Sequence, residues 1–457
     1  ERQRADNSLP QNMALNYEPS RDGRREEQEF NFNFNWQPIE VLTVDVGARY
    51  INYWAVDDHL KKLQKQGEQL SGQAVVGQEV SVERPYEEKD IASGLKQWDD
   101  FLSAIPVDDP GYPIILNVVE AQKKILWDKV NNGELLQETL YWLPDSDGRY
   151  HRTENPCLKY AGTCSVSSLI ENRPLSMGHY RGSGWSPSTS IALKTSEQGR
   201  LVLAYSRTLR FPDLFEVSQG FSSSPSVLNT LKSERAEHIE LSYIHNLADL
   251  LNAERFSDIR LSAYQHRTHD VIDSGVDKYF YNLDRQTLRG VEVQGRYDDG
   301  DWFVDMGMAW TLTNQVCDEN SAALADKING SISRCVQGGF AGGYLLGYSP
   351  PRYSMITTVG QRYWNDRIEL GARVRHYNAF KNNDFYSSPN WSESSNKPVA
   401  WSRTTLLDAY LELEATDNIR LGFSANNITD RFYVDPLSRS DMPAPGRSYR
   451  MTLTATF

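Results

Sequence analysis

The sequence predicts an all-β fold, an antiparallel barrel that crosses a membrane on its strands, and three observations carry that expectation. The first is alternation at period two with unlike faces. In "DWFVDMGMAWTLT" (301–313), Trp302, Val304, Met306, Met308, Trp310 and Leu312 are all apolar, whereas Asp305, Gly307 and Thr311 share the other side with Phe303 and Ala309. The second is that such runs reach ten residues or more and hold their charges on one side. A soluble sandwich alternates too, but its strands are usually shorter and its polar face meets bulk water. The third is the alternation of connections. Tight turns such as "WND", "ATDN" and "YDDGD" follow one strand and long loops follow the next, the pattern of periplasmic turns and external loops.

The totals permit this reading. Mean hydropathy is −0.58 and hydrophobic content 39%, and no run approaches the roughly 18–20 apolar residues of a spanning helix. A membrane strand needs only about 9–11 residues, half of them polar. The eight steps from Trp302 to Trp310 span roughly 26 Å along a strand. Tilted by about 40°, they cover roughly 20 Å of membrane height, with a Trp near each interface. A net charge of −13 argues against nucleic acid, which requires clustered Lys and Arg.

Taken in order, about thirteen strands are expected near 26–37, 39–55, 187–195, 200–208, 234–247, 257–267, 284–297, 301–314, 351–363, 367–380, 403–415, 418–427 and 446–457. "VLTVDVGARY", "RIELGARVRHY", "TTLLDAYLELEA", "NIRLGFSAN" and "RSYRMTLTATF" repeat the two-faced pattern. Bacterial barrels have even strand numbers with both ends periplasmic, so an odd count implies a missing predecessor and a C-terminal part of a larger barrel. Glu1 follows neither a Met nor a signal peptide, which suggests a processed start or a fragment. The chain then divides into barrel strands at 1–56, a long external insertion at 57–186, and C-terminal barrel strands at 187–457. Within the insertion, "HLKKLQKQGEQL" and "LNVVEAQKKILWDKVNNGELLQ" have helical periodicity, with Leu116, Val119, Ile125 and Leu126 near one face. Cys157 with Cys164, and Cys317 with Cys335, lack metal-finger spacing. Two local disulfides in an oxidising compartment are the economical reading.

Five segments resemble the TonB-dependent outer-membrane receptors. They are Arg210-Phe211-Pro212 in "YSRTLRFPDLFE", Leu231 to Arg235 in "LKSERAEHIELSY", Gly290 to Glu292 in "LRGVEVQGRY", Asn427 to Tyr433 in "NNITDRFY", and "PAPGRSYRMTLTATF" ending on Phe457. The resemblance covers residues 200–457 and is weak before residue 187. It implies a 22-stranded barrel filled by an N-terminal plug, of which this chain holds strands ten to twenty-two. It also implies a bacterial outer-membrane location. Uptake would be powered by an inner-membrane complex through a TonB box on an N-terminal segment outside this sequence. The first two boxes would flank the seventh external loop, which in heme and hemoprotein receptors usually holds a His. The Pro-Gly-Arg ending resembles that branch, and the transferrin and lactoferrin receptors, more than the siderophore branch. The cargo implied is heme or another iron complex, with no intrinsic cofactor, and a host or secreted hemoprotein would meet the external loops. One departure stands out: between Phe211 and Arg235 there is neither His nor Tyr, so axial ligation from that loop has no donor.

Other readings compete. The chain could serve a ferric siderophore or another nutrient, act as a surface adhesin through its long loop, or be an outer-membrane barrel enzyme. The absence of any Ser/His/Asp, phosphate-loop or His-Glu-x-x-His motif weighs against an enzyme. Connections as long as 57–186 usually carry a role, so ligand or partner recognition is preferred over mere shielding.

His59, His151 and His179 lie in the insertion. Surface-loop histidines are mostly not ligands, but His269 with Tyr279 and Tyr281 forms the best heme or iron candidate. His266 precedes His269 by three, and such positions point to opposite faces of a strand; His238 and His376 read as strand residues. Arg210, Phe211 and Pro212, with His151 and His179, complete the candidate ligand-facing set, and no metal-ligand set is identified. Glu292, Arg296, Asp305, Glu369, Arg373, Arg375, Asp408, Glu412 and Glu414 are expected to line the lumen and face the plug.

Overall fold

A computed structural model describes residues 2–6, 22–67, 71–160, 163–174, 179–217, 224–225, 231–274, 279–347, 349–382, 400–436, 438 and 442–456. In chain order the strands are β1 (Arg2–Asp6), β2 (Asp22–Ile39), β3 (Leu42–Asp57), β4 (Ser71–Pro85), β5 (Leu135–Trp142), β6 (Cys164–Pro174) and β7 (His179–Lys194). There follow β8 (Gly199–Arg210), β9 (Ser224–Pro225), β10 (Glu234–Asn246), β11 (Phe256–Ser274), β12 (Tyr279–Asp298) and β13 (Trp302–Cys317). The last are β14 (Cys335–Gln337), β15 (Tyr353–Tyr363), β16 (Ile368–Tyr377), β17 (Thr404–Thr416), β18 (Ile419–Asn426) and β19 (Ser448–Ala455). Fourteen of them form one continuous sheet in the order β1-β2-β3-β7-β8-β10-β11-β12-β13-β15-β16-β17-β18-β19, with β9 and β14 attached to β12 and β13. No helix among the described residues is long and apolar enough to cross a membrane. Crossing falls to the strands.

Register decides the solvent of each face. Phe34 stands opposite Val46, Val46 opposite Thr189, and Val44 opposite Ile191. Further round, Ile191 meets Leu203, Leu203 meets Leu241, and Leu241 meets Ala263. The band continues through Met308 and Met355, Leu370 and Leu411, Phe423 and Met451. Phe30, Phe32, Phe34 and Trp36 are each more than half exposed. A sheet face this apolar and this open is stable only against hydrocarbon. Tyr50 packs on Trp185, and Trp310 on Tyr353, with ring centroids 5.1 Å apart in both pairs, as aromatic girdles require.

The opposite face carries the charges of the strands together with scattered apolar residues such as Val202, Phe303 and Ala309, and two glycines there have a job. Gly290 lies beneath the Tyr264 ring with the Trp310 carbonyl close by, and Gly371 lies beneath Tyr410. A Cβ at either site would occupy the space of the neighbouring aromatic. Tyrosine laid over a cross-strand glycine fills the pleat and helps pin the register.

The thirteen expected strands are present, and a fourteenth corrects the count. Strand β1 pairs antiparallel with β2 from Arg2↔Glu26 to Asp6↔Asp22. "RQRAD" has no apolar alternation, so hydropathy could not reveal it. Strand limits also differ. The hairpin β11–β12 continues past residues 267 and 284, and β7 begins at His179, earlier than residue 187. In the β11–β12 extension Val271, Ile272, Phe280 and Leu283 are all buried, whichever side they point to, and the two-faced signal fades.

Two compact units account for the chain. One comprises residues 1–72, 174–325 and 332–457 and contains the large sheet; the other comprises 73–173 with 326–331. The second unit is narrower than the expected 57–186 insertion, because α1 (Asp58–Lys65) and the ends of β3 and β7 belong to the first. It is built from the sheet β5-β4-β6, α2 (Glu88–Ser103) and α3 (Tyr112–Asn131). Val80, Val82, Ile91, Val119 and Trp142 form its interior. Ile125 is half exposed and leaves the helix face expected of it, while Leu126 meets α2 at Gly94. Helix α2 was not legible from periodicity, yet it carries a Glu87/Asp90 capping box. The fully buried Arg84 binds Asp90 through two bonds of 2.6 and 2.7 Å and also pairs with Glu138.

That arrangement predicts acid sensitivity. The Arg84 guanidinium holds the Asp90 carboxyl well below the usual carboxylate range. A depressed folded value contributes stability that is complete above the unfolded pKa of about 3.9 and is lost as pH falls toward the folded value. Rate-corrected amide protection in 73–173 should be flat from neutral pH to about 5 and decline below about 4. Asp90→Asn should flatten that decline and lower protection at neutral pH. A decline that persists unchanged in the variant would assign it elsewhere.

Candidate functional site

The first two sequence boxes meet in one structural clasp. Arg210 ends β8 and pairs with Glu234, the first residue of β10, and with Glu216 at 2.9 Å. Glu234 also accepts the Ile272 amide at 2.7 Å. Phe211 is buried and stacks on Tyr53 at 4.9 Å with an interplanar angle of 8°. The Tyr53 hydroxyl donates to the Pro212 carbonyl at 2.8 Å. Leu231 is buried in the same cluster with Ile51, Leu214, Ile272 and Phe280. Lys232 exchanges two backbone bonds with the Asn282 amide, and Arg235 binds Asp270 at 2.7 Å. Arg210, Phe211 and Pro212 therefore hold the loop's two ends together. The boxes lie either side of a loop whose residues 218–223 and 226–230 are outside the described set.

The lumenal set is placed on one wall by register. Glu292 stands opposite Ala309 and Arg296 opposite Asp305. Arg373 faces Asp408, and Glu369 faces Glu412, which is followed on the same side by Glu414. Several of these charges pair laterally: Arg375 with Asp408 at 3.0 Å, Arg362 with Glu369 at 3.0 Å, Arg420 with Glu414 at 3.6 Å, and Arg296 with Asp258. Among the described residues Glu292, Asp305 and Glu412 form no ion pair. The wall thus has both satisfied stretches and open carboxylates.

The loop candidates fare differently. His269 pairs in register with Arg235 and shares the parity of Leu261 and Ala263, so it stands on the outer face. Tyr281, partly buried, packs against a cluster of Val271, Leu283, Val316 and Phe340. His151 binds Asp145 at 2.9 Å within the second unit. The side chains of His59, His179 and Tyr279, and all of Phe457, lie outside the described residues. Both expected disulfides, Cys157–Cys164 and Cys317–Cys335, are formed; the second joins a directly opposed pair of β13 and β14. Among the described residues no group of three or more His, Cys, Asp or Glu is placed to hold a metal ion.

What strand-by-strand reading missed is a pair made by register. His238 on β10 is directly opposite His266 on β11, on the polar wall. Residues far apart in sequence become neighbours only when the pairing is known.

The family model described as "TonB dependent receptor-like, beta-barrel" matches residues 148–428. The chain belongs to the TonB-dependent receptors. Members of this family are outer-membrane transporters and not enzymes, and the exposed apolar band agrees with that location. The receptor chain is 32% identical to the hemophilin receptor of Acinetobacter baumannii over 96% of its own length and 44% of that protein. It is 21% identical to a probable TonB-dependent receptor of Haemophilus influenzae over 64% of its length and 35% of that protein. The chain therefore spans less than half the length of these curated relatives. Among solved structures, the Serratia marcescens hemophore receptor HasR, in complex with its hemophore HasA and heme, superposes with TM-score 0.50 at 16% identity. That match covers 96% of this chain and 52% of HasR. The copper transporter OprC gives TM-score 0.52 at 12% identity, covering 96% and 50%. At such identities these two establish a shared fold alone.

Proposed function

We propose that this chain is barrel wall and external apparatus of a receptor that imports heme, delivered by a secreted or host hemoprotein and powered through TonB. One observation carries the reading: the 32% identity to the hemophilin receptor extends over nearly the whole chain, insertion included. The clasp supports it physically. By tying β8, β10, β11 and β12 together at the mouth, it gives the loop between the boxes fixed ends, as a recognition loop needs. The unpaired lumenal carboxylates offer a plug its hydrogen-bond partners.

The test uses the receptor expressed from its complete gene. Loss of growth on a hemoprotein as sole iron source when the gene is deleted, with growth on a ferric siderophore retained, is the expected result. Removing residues 73–173 and closing the ends with a short flexible linker should abolish hemoprotein use while sparing free hemin. Undiminished growth of the gene deletion on every heme source would overturn the reading, and loss on the siderophore instead would move it to that branch.

A further inference from the structure

We propose that His266 is an axial ligand for heme iron on the inner wall of the barrel, with His238 and Glu240 fixing its tautomer; this rests on the heme reading above. The two rings stack with centroids 4.2 Å apart and Nδ1 to Nδ1 3.1 Å. His238 Nε2 lies 3.3 Å from Glu240 Oε2. The other Glu240 oxygen accepts from the Ser242 hydroxyl and from Arg260, both at 2.6 Å.

Proton placement follows from these contacts. An ionised carboxylate can only accept, so His238 Nε2 carries hydrogen and donates to Glu240. His238 Nδ1 is then a lone pair 3.1 Å from His266 Nδ1, and a neutral His266 that keeps its hydrogen on Nδ1 avoids setting two lone pairs against each other. The remaining nitrogen, His266 Nε2, holds an in-plane lone pair. A carboxylate-to-imidazole relay behind a ligand nitrogen is the arrangement that orients a metal-binding His and raises its basicity. His266 is exposed on the wall, and among the described residues its Nε2 has no hydrogen-bond partner.

The surroundings suit a flat macrocycle. Tyr264, edge-on to His266 with centroids 5.3 Å apart, supplies an aromatic surface on the same wall. A concavity of about 450 Å³ with a mixed lining, Asn33, Asp45, Ser188 and Ser206 beside Ala204 and Tyr205, reaches His238. The outward neighbours Gln265 and Arg267 place this level at the external rim of the apolar band, where cargo enters. The loop between the boxes offers iron neither His nor Tyr, so a wall ligand supplies what that loop lacks.

The experiment titrates hemin into the purified, detergent-solubilised complete receptor. The wild type is expected to give a nitrogen-ligated heme spectrum. His266→Ala should lose that spectrum and bind hemin at least tenfold more weakly, and added imidazole should restore the spectrum, which a misfolded barrel would not permit. Glu240→Gln, which leaves the ligand in place, should weaken binding less and shift its pH dependence. Wild-type binding with an unaltered spectrum and affinity in His266→Ala would overturn this proposal and leave the heme reading standing. Failure of the wild type to bind hemin at all would sink both.

Discussion

Replacing Phe211 by Ala is expected to destabilise the external clasp by about 3–5 kcal/mol, the cost of emptying a well-packed aromatic site. The ring is 4% exposed, parallel to Tyr53, and lies over Gly182. Those neighbours sit on β3 and β7, whose positions are fixed by the ladder, so they cannot collapse into the cavity. The loss should be local. Amide exchange in 205–216 and 231–237 should accelerate strongly, while the periplasmic turns at 299–301 and 364–366 stay protected as before. Phe211→Leu, which keeps most of the volume, should recover most of the protection. A change under about 0.5 kcal/mol, the range of ordinary surface substitutions, would show that the box is not structural and return Phe211 to the list of ligand contacts.

The clasp also shows where sequence reading succeeds and where it stops. Alternation was legible because period two is imposed by the strand itself and the two solvents differ. Hence apolar residues of successive strands, such as Val44 with Ile191 and Leu370 with Leu411, share one face in register. Loop chemistry was not legible. His269 and Tyr281 look like ligands because their residue types are suitable, whereas their facing and burial depend on register and on packing from residues 316–346. Arg210 was read as ligand-facing for the same reason; its carboxylate partners come from Glu216 and Glu234, across a loop. His238 and His266 are the converse case. Each alone is an unremarkable strand residue, and only the ladder brings together the nitrogens of two residues 28 positions apart. The three-stranded sheet and α2 of the second unit escaped because a small core centred on Arg84 does not repeat with the period of either element.

Leu411→Arg is expected to cost about 2–4 kcal/mol if its depth is near the bilayer centre, and less toward the interface. Leu411 stands opposite Leu370 and Phe423, both more than 40% exposed on the outer face. A guanidinium there lies between two apolar cross-strand neighbours and must thin the bilayer or snorkel. Glu412→Arg, one residue further along the same strand, points the same charge at the lumen beside Glu369 and should change stability by under about 0.5 kcal/mol. Urea unfolding of the receptor in lipid vesicles compares the two directly, with Leu413→Arg as the shallower position. The depth gradient is what separates hydrocarbon from a protein interior, since a packed core would penalise every buried arginine irrespective of its distance from the interface. Equal costs at 411 and 412 would mean that the two faces see the same solvent. The membrane assignment of the sheet, and with it the lumenal placement of His266, would then have no physical basis.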